Sequence, residues 1–273
     1  MKVISQISVI TANKKKEKKN DMNNEINILI TAGGTREPID TVRSITNKSS
    51  GKLGKKICEA IASQAFGDTT IYYVHGKFSV VPDIPLQTDT YTIKLIPADS
   101  TTDVDSTINN LTKDHEFQGI IHSMAISDYT TKCVTTFEAI FKASRKYKTY
   151  DELLYHLDEL DMTKNSSKIS SNVNDMTIIL QKTPKIIKTL RQKAPGATII
   201  GFKLLDNVTE NELLNAAYNL IIKNGLDYCL ANDLESLRQN NHTGYLMDKH
   251  ALIEKIEGKD TIAETIAKLI LCQ

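Results

Sequence analysis

The amino-acid sequence predicts an α/β protein whose core is a doubly wound, mostly parallel sheet. Short apolar segments of strand composition alternate along the chain with longer segments whose apolar residues recur at helical spacing. Residues 26–76 alone contain a predicted strand, a predicted helix and a second predicted strand. Because helices between successive strands act as crossover connections, this order indicates a parallel sheet with helices on its faces.

The first elements are predicted from their apolar patterns. INILITA, residues 26–32, is β-branched and almost wholly apolar, which is typical of a strand covered on both faces. Apolar residues then recur every three or four positions through residues 53–65, so a helix is predicted there, with Ser49 or Ser50 placed to cap its first turn. TTIYYVHG, residues 69–76, predicts the second strand.

The alternation continues to the end of the chain. Ser100 and Asp103 have the spacing of a capping box ahead of a helix, and the apolar segment at residues 119–127 predicts a strand. The later predicted elements are strands at residues 198–202 and 227–232 and helices at residues 212–223 and 261–271. The complete pattern predicts a Rossmann-like core.

Residues 130–182 interrupt this alternation. Their first part is charged and amphipathic, and it is followed by the polar stretch NSSKISSNVND and a short strand at residues 176–182. We therefore expect an inserted helical excursion and a hairpin or flap, within one domain that covers residues 25–273.

Composition indicates a soluble, cytoplasmic protein. Hydrophobic residues make up 40% of the chain and charged residues 25%, and no segment approaches the roughly 18 consecutive apolar residues that a membrane span needs. The cysteines are far apart and form no CxxC pair, which argues against a zinc site and against disulfides. They are Cys58, Cys133, Cys229 and Cys272.

The N-terminal region differs from the rest in charge. Residues 1–24 include NKKKEKKND, which predicts a disordered, lysine-rich tail. Six lysines and two acidic residues give residues 1–21 a net charge of +4, whereas the whole chain carries +1, so the remainder carries −3. A body that is not basic lacks the electrostatic signature of nucleic-acid binding, and we expect no nucleic-acid partner and no membrane partner.

The stretch TAGGTREPIDTVRSITNKSSGKLG, residues 31–54, contains the candidate binding residues. Ligands of doubly wound sheets bind beyond the carboxyl ends of the strands, and glycine there lets backbone N–H groups approach an anion. Gly33, Gly34 and Thr35, with Arg36 beside them, therefore predict a phosphate-binding turn after the first strand.

A second anion site is predicted where the following helix begins. Ser49, Ser50 and Gly51 open that helix, whose dipole favours negative charge, and Arg43 and Asn47 lie upstream. The stretch contains neither GxGxxG nor the P-loop pattern GxxxxGK[ST]. An NAD(P)-dependent oxidoreductase of similar fold and a nucleotide-sensing binding protein without turnover remain as alternative interpretations of the chain.

Residues 31–61 resemble the opening of phosphopantothenoylcysteine synthetase, the ligase of coenzyme A biosynthesis that joins 4′-phosphopantothenate to cysteine. Further segments resemble the family in the same order: HSMAISDY (122–129), KISS (168–171), KTPKII (182–187), IIGFKLL (199–205) and IIKNGLDYCLAND (221–233). In many bacteria the synthetase is the C-terminal half of a fusion with a flavin-dependent decarboxylase. This chain has no room for that half, so the resemblance implies a stand-alone bacterial form without flavin.

The resemblance implies a two-step mechanism. The substrate carboxylate attacks the α-phosphate of CTP, which gives an acyl-cytidylate and pyrophosphate, and the cysteine amine then displaces CMP. Mg²⁺ accompanies the phosphates, and known members are homodimers. Lys203 resembles the residue found at this position in the eukaryotic branch of the family. Because that branch uses ATP, ATP stays open as the nucleotide.

Individual roles follow from the resemblance. Asn47 would polarise the substrate carboxyl, with Arg43 in the same pocket, and Lys168 would stabilise charge on the transferring phosphoryl group. Contacts to the nucleotide are implied for Asp128, Thr183, Pro184, Lys185, Ile186, Phe202 and Lys223. No metal ligand is predicted.

Overall fold

The computed structural model describes residues 25–164, 168–235 and 242–272, and the predicted lysine-rich tail at residues 1–24 lies outside them. The strands in these ranges are β1 (Ile26–Ala32), β2 (Arg36–Pro38), β3 (Ser44–Thr46), β4 (Thr69–His75), β5 (Tyr91–Pro97), β6 (Gly119–His122), β7 (Tyr129–Thr136), β8 (Met176–Lys182), β9 (Thr198–Leu205), β10 (Tyr228–Asp233), β11 (Thr243–Asp248) and β12 (Ile253–Glu257). The α-helices are α1 (Lys52–Gln64), α2 (Thr101–Asp114), α3 (Phe137–Lys146), α4 (Tyr150–Tyr155), α5 (Leu190–Lys193), α6 (Glu210–Asn224) and α7 (Lys259–Leu271).

Eight strands form the central sheet, in the order β12-β11-β10-β9-β6-β1-β4-β5. Seven of these strands run in one direction and β11 runs in the opposite direction, so the predicted mostly parallel α/β fold is confirmed. The chain passes outward from β1 through β4 and β5 and then returns to the other side of β1 as β6. The loops after β1 and β6 therefore diverge, and they leave a crevice at the carboxyl edge where such folds bind ligands.

Helices cover both faces of the sheet, which explains the composition of β1. Ile28 and Ile30 pack into one core together with α1 and α7. Leu29 points to the opposite face and packs with α2 and α6. All three side chains are fully buried, so this strand has apolar residues at consecutive positions rather than at alternate ones.

Strand β6 is shorter than the sequence predicts. It ends at His122, whereas the apolar segment continues to residue 127. After His122 the chain follows the loop that leaves β1, because the Ala125 N–H donates to the Gly33 carbonyl at 2.8 Å and the Ala125 carbonyl accepts from the Thr35 N–H at 3.2 Å. The extra apolar residues therefore do not extend the strand, and Met124 and Ile126 pack against the core that contains α2 and α6.

The segment between β6 and β9 leaves the central sheet. Strands β7 and β8 pair with each other as a separate two-stranded antiparallel sheet, and α3 and α4 lie between them in the sequence. Cys133 and Val134 of β7 are buried, and Asp161 accepts the Val134 N–H at 3.1 Å. Within the described residues, no helix is both long and apolar enough to cross a membrane.

Candidate active site

The turn after β1 is in close contact with the loop after β4. Gly33 has a φ of +89°, a conformation that L side chains rarely adopt. A Cβ atom at Gly33 would lie 1.6 Å from the Ser79 Oγ, and one at Gly34 would lie 2.7 Å from the Asn47 carbonyl oxygen. Glycine is therefore required at this turn by both conformation and space.

Helix α1 begins beside this turn without a side-chain cap. Its N-cap is Gly51, with a φ of +77°, and the prediction that Ser49 or Ser50 caps the helix is wrong. A Cβ atom at Gly51 would lie 3.1 Å from the Gly33 nitrogen, so the two turns approach each other closely at this point. The first turn of α1 contains no acidic residue, and its N–H groups are available to an anion.

Hydrogen bonds connect the glycine turn to the predicted nucleotide-binding segment. The Thr35 Oγ1 accepts the Ser127 N–H at 2.8 Å. The Thr183 Oγ1 donates to the Ser127 carbonyl at 2.5 Å, and the Thr183 N–H donates to the Asp128 carbonyl at 3.1 Å. Thr35 and Thr183 are both buried, so these bonds fix three loops that are far apart in the sequence.

Asp128 and Lys185 lie at the solvent-exposed side of this connection. Their side chains form an ion pair, and both are exposed. Pro184 is also exposed, whereas Ile186 is buried in the core that contains α6. The structure therefore brings together the predicted nucleotide contacts of residues 128 and 183–186.

Asn47 lies across the crevice between β1 and β6. Its Nδ2 donates to the Ala125 carbonyl at 3.2 Å, and the residue is exposed. An exposed amide at the carboxyl edge can donate to a ligand oxygen without forming an ion pair with it.

Arg43 is paired with Asp40 in the turn between β2 and β3. The Arg43 Nε and Nη2 donate to the Asp40 Oδ2 at 3.0 and 2.6 Å, and the Asp40 Oδ1 accepts the N–H groups of Val42 and Arg43 at 2.9 and 2.7 Å. The Asp40 carboxylate is 0% exposed. The Arg43 guanidinium holds the pKa of this carboxyl well below its usual range, so Asp40 is a carboxylate at neutral pH.

The same pair binds the backbone beside Lys168. The Ile169 N–H donates to the Asp40 Oδ2 at 3.2 Å, and the Arg43 Nη2 donates to the Ile169 carbonyl at 3.0 Å. The Ile169 side chain is buried, whereas Lys168 is exposed. Two predicted catalytic residues, Arg43 and Lys168, thus lie near each other.

The β2–β3 hairpin is attached to the loops around it. The Arg36 guanidinium lies 3.6 Å from an Asp99 carboxylate oxygen and 4.4 Å from the centroid of the Phe78 ring. On the other side, the buried Glu37 Oε1 accepts the Thr101 N–H and Oγ1–H at 2.9 and 2.6 Å. Arg36 therefore ties the hairpin to the loops after β4 and β5, and its predicted role in binding phosphate stays a prediction.

Two predicted nucleotide contacts lie apart from this group. Phe202 is half-buried in the middle of β9 and packs against the core next to α7. Lys223 is in the last turn of α6, and because a crossover helix runs back across its sheet, this turn lies at the amino edge of the strands. The structure therefore separates Lys223 from the glycine turn, which lies at the carboxyl edge.

A neutral polar pair lies beneath the crevice. The Thr31 Oγ1 and the His122 Nδ1 are 2.9 Å apart, and both residues are buried. Burial lowers the pKa of His122 to about 4. The imidazole is thus uncharged at neutral pH and adds no positive charge to the crevice above it.

Three residues of the site, Asp40, Ser79 and Ser127, were not predicted from the sequence. Asp40 could have been found, because an aspartate three residues before an arginine in a turn is a common ion-pair spacing. Ser79 follows the glycine that ends the second predicted strand, which was also visible in the sequence. No local pattern in the sequence indicates Ser127, because its role depends on a hydrogen bond to Thr35, and the two residues are far apart in the sequence.

Comparisons with known proteins support the family-level interpretation. A family model described as the DNA/pantothenate metabolism flavoprotein C-terminal domain matches residues 8–152 and 158–272. The coenzyme A biosynthesis bifunctional protein CoaBC of Methanocaldococcus jannaschii is 31% identical over 250 residues, which are 89% of this chain and 51% of that protein. CoaBC of Thermococcus kodakarensis is 28% identical over 77% of this chain and 41% of that protein. The chain thus spans about half the length of the curated relatives it matches.

Solved structures share the fold. The DNA/pantothenate metabolism flavoprotein from Streptococcus pneumoniae superposes with a TM-score of 0.74 and 33% identity, over 90% of this chain and 98% of that one. A Cab2 variant in complex with phosphopantothenate-cysteine superposes with a TM-score of 0.62 over 99% of this chain and 91% of that one. Its 16% identity shows a common fold only.

Proposed function

Because this chain belongs to the family of the DNA/pantothenate metabolism flavoprotein C-terminal domain, we propose that it is a cytoplasmic ligase of coenzyme A biosynthesis that joins 4′-phosphopantothenate to L-cysteine. The observation that carries the proposal is the family match over residues 8–152 and 158–272. The curated relatives are coenzyme A biosynthesis proteins, and the resemblance of residues 31–61 to phosphopantothenoylcysteine synthetase selects the ligase reaction.

The proposed reaction has two steps. A carboxylate oxygen of 4′-phosphopantothenate attacks the α-phosphorus of the nucleotide, and the bond from that phosphorus to pyrophosphate breaks. The cysteine amine then attacks the acyl carbon, loses a proton, and the nucleoside monophosphate leaves. Such catalysis depends mainly on positioning the reactants and on neutralising charge.

The crevice supplies groups for both steps. The first turn of α1 and the turn at Gly33 offer backbone N–H groups to phosphate. The Asn47 amide donates to the carbonyl oxygen of the acyl group without trapping it in an ion pair. The Lys168 ammonium group places a positive charge next to the transferring phosphoryl group.

We propose CTP as the nucleotide, with ATP as the alternative. Hydrogen bonds hold the segments at residues 127–128 and 183–186 together, and the resemblance implies that backbone groups of residues 183–186 recognise the edge of the base. Mg²⁺ fits as an ion that arrives with the phosphates, because within the described residues no cluster of His, Cys, Asp or Glu could hold a metal ion. Mg²⁺ bound mainly by phosphates and water needs no such cluster.

A homodimer is part of the proposal, as the resemblance implies. Large apolar side chains of α3 and α4 are exposed, and exposed apolar patches are typical of interfaces. They belong to Phe137, Phe141, Tyr150 and Tyr155. Light scattering on the purified protein tests this point.

The decisive experiment is pyrophosphate release from the purified protein, given 4′-phosphopantothenate and Mg²⁺ with CTP or ATP, with and without cysteine. Release with CTP, followed by CMP when cysteine is added, supports the ligase. Release with ATP alone keeps the reaction and changes the nucleotide. If folded protein binds the nucleotide and releases no pyrophosphate, the nucleotide-sensing alternative replaces the ligase.

Variants of two lysines sharpen this experiment. Lys168→Ala should strongly slow pyrophosphate release and leave a measurable residual rate, because the positive charge at the transferring group is lost. Lys164→Ala is the matched control, since Lys164 pairs with Asp158 at 3.1 Å and is given no role in the reaction. Equal rates for both variants would contradict the assignment of Lys168.

A further inference from the structure

We infer that Asp40 is a positioning residue, which together with Arg43 holds the backbone at Ile169 so that Lys168 faces the reacting phosphate. This inference rests on the proposed function, because it concerns the same site and the same first step.

Both backbone polar groups of Ile169 form hydrogen bonds to the Asp40–Arg43 pair. Its N–H donates to the Asp40 Oδ2 at 3.2 Å, and its carbonyl accepts from the Arg43 Nη2 at 3.0 Å. Both backbone polar groups of one residue are thus bound by an ion pair from a different part of the chain. The Ile169 side chain is 2% exposed, so packing fixes it as well.

Asp40 is the centre of this arrangement. Its carboxylate accepts five hydrogen bonds, from the N–H groups of Val42, Arg43 and Ile169 and from the Arg43 Nε and Nη2. Bonds to a carboxylate are stronger than bonds between neutral groups. No solvent reaches the Asp40 side chain, so water cannot replace a lost partner without rearrangement.

The position of Lys168 follows from these bonds. It is exposed and directly precedes the residue that is held on both backbone groups. A lysine has several rotatable bonds, and its ammonium group can act on a phosphoryl group only if its Cα is in place. Displacement of a catalytic group by about 1 Å can cost about 100-fold in rate.

The experiment uses Asp40→Asn, Lys168→Ala and the double variant. Asp40→Asn keeps the shape but removes the charge and turns one acceptor into a donor. We expect it to lower kcat for pyrophosphate release by about 100-fold while KM for the nucleotide changes little. In the Lys168→Ala background, Asp40→Asn should lower the residual rate no further. If the two losses multiply, Asp40 acts independently of Lys168 and the inference is wrong.

Hydrogen–deuterium exchange provides a readout that does not depend on turnover. Asp40→Asn should accelerate exchange of the Ile169 amide in a peptide that covers residues 168–175, and Asp40→Glu should do so to a smaller extent. Unchanged exchange in both variants would overturn the inference. If wild-type protein releases no pyrophosphate, the proposed ligase function fails, while the exchange still decides whether Asp40 holds Ile169.

Asp248→Asn is the matched control for the substitution. The Asp248 Oδ1 also accepts two backbone N–H groups, from His250 at 2.8 Å and Leu252 at 2.9 Å, in the turn between β11 and β12. These two strands form one edge of the central sheet, several strands away from β1. Asp248→Asn should therefore leave both the rate and the exchange at residues 168–175 unchanged, and an equal effect would show that Asp40→Asn acts through general destabilisation.

Discussion

Gly33→Ala tests the close contact on which the glycine turn depends. The new Cβ would lie 1.6 Å from the Ser79 Oγ and 2.6 Å from the Ser79 Cβ, so the loop after β4 must move. Overpacking of this kind costs about 1–3 kcal/mol. The φ of +89° at Gly33 adds conformational strain of about 1–2 kcal/mol. We therefore expect the free energy of unfolding to fall by about 2–5 kcal/mol in total.

Two further variants separate the contributions. Gly67 has a φ of +66°, and a Cβ added there would meet no atom within 4 Å, so Gly67→Ala should lose only about 1–2 kcal/mol through strain. In the double variant Gly33→Ala/Ser79→Gly, the nearest remaining atom of residue 79 is its Cα at 3.7 Å. This distance is an ordinary contact, so the double variant should recover about 1–3 kcal/mol.

Urea unfolding of the wild type and the four variants, including Ser79→Gly alone, gives these energies. The reasoning is refuted if Gly33→Ala costs no more than Gly67→Ala, or if Ser79→Gly restores nothing. Pyrophosphate release measured on the same samples shows whether displacement of the loop also disturbs phosphate binding.

Three other predictions concern separate parts of the site. Asn47→Ala should accumulate the acyl-nucleotide and release little nucleoside monophosphate when cysteine is added, as quenched-flow chromatography can show; full monophosphate release would contradict its role. Burial lowers the pKa of His122 from 6.5 to about 4. At a pH between these two values, the unfolded state therefore binds a proton at this residue and the folded state does not. The free energy of unfolding should thus fall by about 3 kcal/mol as pH drops from 6.5 to 4. In urea titrations the His122→Gln variant should lose this pH dependence, and the control variant His250→Gln, at an exposed position, should keep it. Glu37→Gln should destabilise the protein by about 2 kcal/mol, because charge-assisted bonds to Thr101 are weakened; an unchanged unfolding midpoint would show that the neutral amide replaces them fully.

The sequence predicts the inner strands that are buried on both faces, whereas β11 and the two edge strands are missed. INILITA and TTIYYVHG are recognisable because burial on both sides demands consecutive apolar residues. Strand β5 is at one edge of the sheet, with exposed Lys94 in its middle, and β12 is at the other edge with three exposed residues. Charged residues interrupt the apolar pattern of both segments, Lys94 in β5 and three of the five residues in β12, and neither segment was predicted as a strand.

In the candidate site, some features follow from the local sequence, and others depend on contacts between residues that are far apart in the chain. Gly33, Gly34 and Gly51 could be placed at tight turns because glycine is informative by itself, and anion binding by these turns stays a prediction. The serine cap was predicted wrongly, because the approach of Gly51 to Gly33 depends on packing between two loops and not on local preference. The binding of Ile169 by Asp40 joins residues far apart in the sequence, and no local pattern encodes it.

Hydroxyl groups explain how the crevice becomes one site. Thr35 has no N–H or hydroxyl that reaches solvent, since it is 0% exposed, yet it connects the glycine turn to Ser127. Thr183 connects Ser127 to the segment that carries Lys185. Each bond joins a side chain to backbone, so the partner loop is held whatever its side chains are. Apart from Thr183 itself, the residues proposed to contact the base can therefore vary in sequence while the glycine turn and residues 183–186 keep their spacing. The proposed ligase reaction, which acts on one particular phosphorus atom, requires such a fixed spacing.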